Sequence, residues 1–441
     1  MDENTETLVQ LILATDLTDR PELLQQAKIA FLDYLASALQ AKDQPKVRKL
    51  AKWVSQYPGK GLLLGRKKTC APFQAAFYNG FLSHYLDLDD AQASIAGHFS
   101  TVLFSLLLAS AKASTTVQDF LTAYVVGAEV EGILGGFINP QHKWQGWHST
   151  GTLGPIGGAA ALSRLYKLAP ETTAQVLSLG ATQSSGLGLE AGSDGKPLHS
   201  GFAARNARYA YEMIVKAGLN ASTKPFNGDN GWQKVFANLE LKPADLTERW
   251  LKPGQILQPG LWMKLHPYCS AAICGEAACY KLFDKGWSLD KLREVTFHFP
   301  PGADKALHYK SPATGREGKF SMEYVAWQVL TKGYIQDELF ELETLPEGFA
   351  EALPKLKRAN DLPPVEKTVR KIKVTAVTEK GVNLIEEEDA PLGSPQHPFT
   401  EEDLREKLEK AGGRKWTKNL LEAVADWPDG TLAQVRTVLQ E

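Results

Sequence analysis

At 441 residues the chain is long for one ordinary domain, and its 43% apolar content is enough for a substantial core. A net charge of −2 leaves no broad basic field for nucleic acid, and four cysteines form no disulfide pattern. The polar, acidic start Met1-Asp2-Glu3-Asn4 is unlike a signal peptide, and the longest apolar run, Val102 to Ala111, is too short for a bilayer, so a cytoplasmic protein without a membrane partner is expected.

From Thr5 to about Lys252 the periodicity is helical nearly throughout. Pro21 opens a helix whose Leu23, Leu24, Ala27, Phe31, Tyr34 and Leu35 make an apolar stripe. Val117 to Glu131 repeats the pattern, and Gly157 to Leu165 and Thr173 to Gly180 read as close-packed helices rich in Ala and Leu. After Pro253 the pattern changes. Cys269, Cys274 and Cys279 recur every five residues on an expected helix, a spacing that turns the thiols to different faces and suits buried small side chains better than a shared metal. Leu292 to Phe299 alternates with period two, as does Val369 to Val377, which turns at Glu379-Lys380-Gly381 into a second strand. Helical sequence from Glu317 to Thr331 lies between them. Thr400 with Asp403 resembles a capping box and starts the last helical stretch. The expected fold is mostly α: a large helical domain (1–256), a smaller inserted α+β domain (257–390), and C-terminal helices (391–441) returning to the first.

Two cassettes concentrate chemistry between apolar helices: His84 to Asp90 with His98, and Gly192 to His199 with Lys196. Carboxylates and amines near a core must be paired or suffer desolvation, so their clustering at helix ends suits a polar pocket. Asp87, Asp89 and Asp90 cannot all ionise cheaply side by side, and one of them is expected to act as a base or to hold a histidine. His98 stands at the entry to an apolar helix. Lys196 precedes Pro197, which predicts an extended backbone and an aimed amine, with His199 three residues on. His148 lies in a glycine-flanked turn, and Lys264 with His266 lies at the domain junction. The bland readings are a solvated turn with an N-cap for the first cassette, a surface lysine for the second, and structural histidines for the rest. No H-x-x-x-H or H-E-x-x-H pair appears, nor a G-x-G-x-x-G, P-loop or G-x-S-x-G motif, which argues against metal, dinucleotide, nucleotide and serine hydrolase chemistry.

With these residues in place the chain resembles the MmgE/PrpD family of 2-methylcitrate dehydratases, cis-aconitate decarboxylases and iminodisuccinate epimerases. The matching pieces run in family order: Phe31 to Leu35, Asn79-Gly80 with His84 to Asp90, His98, Ala123 to Glu129, and Trp147 to Gly151. They continue through Gly195 to His199 with Ala203 to Arg205, Lys319 to Tyr324, and Gly393 to Pro395. The resemblance implies a helical domain with an α+β lid, a homodimer, and catalysis without metal or organic cofactor on a small di- or tricarboxylate. It implies Asp87, His98, His148 and Tyr324 as catalytic residues, and Lys196 and Lys264, joined by His199, as groups that bind substrate carboxylates. Two positions depart from the family: the stretch from Ala91 to Gly97 lacks the Thr-Trp start of the dehydratases and decarboxylases, and Ile273 stands where many members carry histidine. The expected activity is a dehydratase-type lyase on a branched, 2-methylcitrate-like hydroxy acid. Its alternatives are an imino- or aminodicarboxylate epimerase, a cis-aconitate-type decarboxylase, and a helical scaffold that has lost activity.

Overall fold

The structure is a computed structural model describing residues 1–366 and 369–440; Lys367, Thr368 and Glu441, the last residue of the expected C-terminal segment, lie outside the described residues. The chain divides into two compact units. The first comprises Met1–Leu189, Gly195–Leu261 and Thr400–Glu441; the second comprises Glu190–Asp194 and Trp262–Phe399. The mostly α fold class holds for the molecule.

In the first unit, helix α1 (Pro21–Gln40) begins at a proline whose missing N–H would have had no helical partner anyway. Its Phe31 ring lies 5.2 Å from Phe104 and 5.6 Å from Phe120, so its stripe is the centre of the core. Helix α2 (Pro72–His84) leads into the first cassette, and α3 (Ser100–Ser110) leaves it. Helix α4 (Val117–Ile138) extends seven residues beyond the expected end at Glu131. It is long and apolar enough to cross a membrane by length and composition, but 89% of its apolar window is buried inside the protein, as in a core helix.

Helix α5 (Ser149–Leu165) starts eight residues before the expected Gly157 and contains Pro155. A proline inside a helix clashes with the carbonyl four residues back and leaves it without a donor. Here that carbonyl belongs to Gly151, and the Ser185 N–H reaches it at 3.4 Å. Helix α6 (Gly195–Tyr211) takes in both Lys196 and Pro197. The expected extended backbone at Lys196 is therefore corrected: Pro197 falls in the first turn, where a helix tolerates proline.

Glycines set the approach of α2 and α6. A Cβ on Gly80 would sit 2.9 Å from the Gly201 Cα, and one on Gly201 only 2.6 Å from the Phe77 carbonyl oxygen. The two backbones thus touch, which draws the C-terminal end of α2 toward the start of α6.

In the second unit a four-stranded sheet has strands β1 (Leu292–His298), β2 (Leu356–Ala359), β3 (Ile372–Thr378) and β4 (Asn383–Glu388) in the order β2-β1-β3-β4. The β1–β2 pair is parallel and the other two are antiparallel, with Gly381 at φ 80° turning β3 into β4. Helices α7 (Ile273–Asp284) and α8 (Met322–Lys332) complete this unit. The helix expected from Glu317 is broken because Ser321 caps α8, accepting the Tyr324 N–H at 3.2 Å. Cys274 and Cys279 are buried on α7, while Cys269 precedes it. Burial pushes the Cys274 thiol up to about 12, so it packs as an inert apolar group.

Helix α9 (Glu401–Ala423) belongs to the first unit. Thr400 and Asp403 form the anticipated capping box, with N–H donors held at 3.2 and 2.8 Å. From α9, the buried Lys407 ammonium meets Asp33 of α1 at 2.6 Å.

One buried acid has no such partner. Neither carboxyl oxygen of Glu131 on α4 has a hydrogen-bond partner, and burial holds its pKa well above the ordinary range. Its proton is kept in the folded state and lost in the unfolded chain above pH ~4.5, so folding is penalised progressively as pH rises. Glu131→Met is therefore expected to raise the melting temperature more at pH 8 than at pH 5. An equal change at both pH values would show that titration of Glu131 contributes nothing.

Candidate active site

Helix α2 delivers His84 into the core, and the chain then turns sharply, with Asp87 at φ 59°. Aspartate tolerates this left-handed conformation better than most residues do. The turn points the successive acids of Asp87-Leu88-Asp89-Asp90 to different targets. The Asp89 carboxylate receives His84 Nδ1 at 2.9 Å and lies 3.2 Å from His98 Nδ1. Asp87 instead meets the Lys196 ammonium, 2.9 Å from its Oδ2, and its Oδ1 is 3.7 Å from His98 Nε2. The third acid, Asp90, accepts from the Ser100 hydroxyl, which also contacts the Tyr124 hydroxyl at 2.7 Å.

These contacts fix the tautomers. A carbonyl oxygen can only accept, and the Asp90 carbonyl lies 2.6 Å from His98 Nδ1, so that nitrogen carries the proton. His84 Nδ1 likewise donates, because its partner is the Asp89 carboxylate. His98 Nε2 is then the nitrogen left to take up or release a proton, with the Asp87 carboxylate placed to stabilise the imidazolium.

The electrostatics agree with this division. Burial alone would raise the Asp89 pKa, but the two imidazoles outweigh it and hold the carboxyl well below its usual range. Burial, with Lys196 adding to it and Asp89 opposing, lowers His84 to about 4. His148 lies well below the ordinary imidazole value because it is buried and near Lys196. Its Nδ1 is 3.0 Å from His199 Nδ1, so one of these rings donates to the other. The His84 ring stands 4.6 Å from that of His98 and 6.0 Å from that of His148. Asp90, buried and near Asp33, is pushed well above the carboxylate range and kept neutral.

The first unit thus brings together five of the expected residues: Asp87, His98, His148, Lys196 and His199. Two readings change. Of the catalytic residues the resemblance implies, Asp87 does not hold a histidine by its Nδ1; Asp89 does this, and Asp87 faces the opposite nitrogen of His98 and the lysine. His148 is not in a free turn but stands immediately before α5. His84 and Asp89 were not singled out individually, although a histidine five residues before an aspartate at a helix end was the available signal. Lys264 and Tyr324 belong to the second unit, both buried. The Tyr324 hydroxyl donates to the Leu339 carbonyl at 3.1 Å, and burial raises its pKa above the ordinary value.

His84, Asp87, Asp89 and His98 each offer one atom within 4.8 Å of the others, a set that could surround a metal ion. The directions of the groups fit a hydrogen-bonded relay better. Nδ1 of each histidine is already committed as a donor, and the lysine ammonium supplies the cation that balances Asp87. Chelation with EDTA followed by dialysis is accordingly expected to leave activity unchanged; loss restored by a divalent ion would overturn this assignment.

The sequence profile of the MmgE/PrpD N-terminal domain matches residues 6–243, more than half of the chain. The chain belongs to the MmgE/PrpD family. Similar proteins include the cis-aconitate decarboxylase-like protein oryM of Aspergillus oryzae, 26% identical over 74% of this chain and 72% of its own length. The cis-aconitate decarboxylase of Mus musculus is 24% identical over 80% of this chain and 74% of its own. The Homo sapiens enzyme of that name is 25% identical over 76% and 72% respectively. All the site residues of the first unit fall within the span matched by the MmgE/PrpD profile.

Proposed function

We propose that this MmgE/PrpD protein is a lyase that acts on a small di- or tricarboxylate without metal or organic cofactor, moving a proton at a carbon next to a carboxylate. The observation that carries this reading is the buried triangle of Lys196, Asp87 and His98 Nε2, with Asp89 behind it. Lys196 supplies a fixed cation for the substrate's negative charge. His98 supplies a titratable nitrogen whose other face is locked.

Among the possible outcomes, decarboxylation of a cis-aconitate-like unsaturated acid has the most support. The similar proteins are named for it, and it asks for only one proton donor. In this step the bond to the departing carboxylate breaks and CO2 leaves. The electron pair shifts through the double bond to the carbon beside another carboxylate, and that carbon takes the proton from His98 Nε2. The imidazole regains its proton from solvent. Dehydration of a 2-methylcitrate-like acid needs a second acid at the leaving hydroxyl, and the hydroxyl of Tyr324, a catalytic residue the resemblance implies, already donates to Leu339. Epimerisation, with His98 and His148 as the two proton carriers, is the second reading.

Proton NMR in D2O with cis-aconitate, a branched hydroxy tricarboxylate and an aminodicarboxylate separates these readings. Loss of CO2 with one deuterium gained is expected; loss of water or exchange without net change would select the other outcomes. Neither turnover nor exchange with any of these acids would favour the inactive scaffold.

A homodimer is part of the same proposal. Trp144, Leu187 and Val235 are 51%, 44% and 66% exposed. They lie on segments joined by the Trp147–Leu187 bridge and the Trp147–Phe236 ring contact. Light scattering is expected to give twice the chain mass.

A further inference from the structure

A cavity of about 480 Å³ lies in the first unit among residues the catalytic proposal does not use. It opens between the end of α1, the loop at Gly65, and the middle of α9. Four cations line it: Lys42, Arg66, Lys67 and Lys415, with Trp416 and Asn419 beside them. Among the described residues, the acid paired with this set, Asp43, is 3.7 Å from Arg66 and 70% exposed, so water screens it. On a chain of net charge −2 this is a strong local concentration of positive charge.

The cavity is shaped by the backbone as well as by mobile lysines. Gly65 has φ 67°, and a Cβ there would press on Lys42 and Leu39 at 3.1 and 3.2 Å. Arg66 donates to the Lys42 carbonyl, tying the loop to the end of α1. Trp416 donates its indole N–H to the Val438 carbonyl at 3.3 Å, which fixes the ring at the cavity wall.

The two helices that frame this cavity also hold the catalytic loop. The Leu88 carbonyl, between Asp87 and Asp89, accepts from Ser37 of α1 at 3.1 Å and from Lys407 of α9 at 3.0 Å. Leu39, two residues after Ser37, lines the cavity, as does Gly412, five residues after Lys407. Between the Lys407 and Lys415 portions of α9, Gly413 breaks the helix with φ 78° and ψ 164°.

We propose that this basic cavity is a regulatory site for a small polyanion of three or more negative charges. By bridging Lys42 and Lys415, the ligand changes how α1 and α9 grip Leu88. Cations on separate elements are drawn toward a shared anion, and α9 has its break at the place where such a shift is absorbed. The ligand chemistry is multiple phosphate or carboxylate groups on a compact frame. The binding half stands apart from the catalytic reading, and the effect on rate rests on it.

Calorimetric titration of the full chain with inorganic triphosphate, and separately with citrate, tests binding and tells phosphate from carboxylate preference. Lys196→Ala serves in parallel to remove binding at the catalytic cations. At least one anion is expected to bind Lys196→Ala, and the added Lys42→Glu/Lys415→Glu pair to weaken it at least tenfold with the circular dichroism spectrum unchanged. Binding by neither anion, or equal binding with and without the charge reversals, would overturn the site. Hydrogen exchange at residues 86–90 reads the coupling without any substrate. A change on adding the bound anion, absent in the Lys42→Glu/Lys415→Glu protein, is expected; unchanged exchange would overturn the regulatory role.

Discussion

Lys196→Ala is expected to lower kcat/KM by about 10²–10³, with both binding and turnover affected. The ammonium lies 2.9 Å from Asp87 in a buried setting, so its charge is in place before substrate arrives and remains as the carbanion forms. A cation that meets substrate carboxylates and developing charge alike lowers KM and raises kcat together. Its removal also strands the Asp87 carboxylate near Asp89, and breaking a buried pair costs stability because one charge is left uncompensated. Lys196→Ala/Asp87→Asn separates these effects. The second change removes the stranded charge and should recover most of any lost melting temperature while leaving activity low. Recovery of activity in the double variant would mean that Lys196 only neutralises Asp87 and does not meet the substrate.

The parts of this arrangement that sequence reveals are those written locally. Alternation marks Leu292 to Phe299 and the strand after Val369 because one face of each of these two strands is buried. The Thr400–Asp403 box lies within four residues. The two cassettes stand out because acids, imidazoles and an amine interrupt apolar helices, and the structure gathers Asp87, Asp89, His98, Lys196 and His199 from them in one unit.

What sequence conceals is direction and distance. Asp87 and Asp89 have the same spacing rules, and only the left-handed turn at Asp87 decides which acid faces His98 Nδ1 and which faces Lys196. The Asp33–Lys407 pair spans 374 positions and has no local signature. Helix α5 was cut short in the sequence reading because Gly154-Pro155 is ordinarily a turn; the Ser185 N–H that satisfies Gly151 comes from another segment. The span of α4 was obscured because Glu129 and Glu131 interrupt its apolar run, although both are fully buried.

His98→Gln and Asp89→Asn test the relay itself. Glutamine keeps a hydrogen-bonding side chain but cannot titrate, so His98→Gln should slow CO2 loss with deuterium gain by about 10²–10⁴ while changing substrate affinity little. Asp89→Asn leaves His98 in the chain but replaces the anion behind its Nδ1 with a neutral amide. In the parent protein that anion favours the imidazolium, so the pH at which His98 gains its proton is expected to fall in the variant. Since the proposed proton donor is the imidazolium, the rate in Asp89→Asn should decline at a lower pH than in the parent as pH is raised. A rate loss with no movement of the pH profile would reduce Asp89 to a structural prop for the loop. Deuterium gain at the parent rate in His98→Gln would remove His98 as the proton carrier and transfer the role to His148, whose ring lies 6.0 Å from that of His84. The two variants thus divide the site between the group that moves the proton and the carboxylate that sets when it is available.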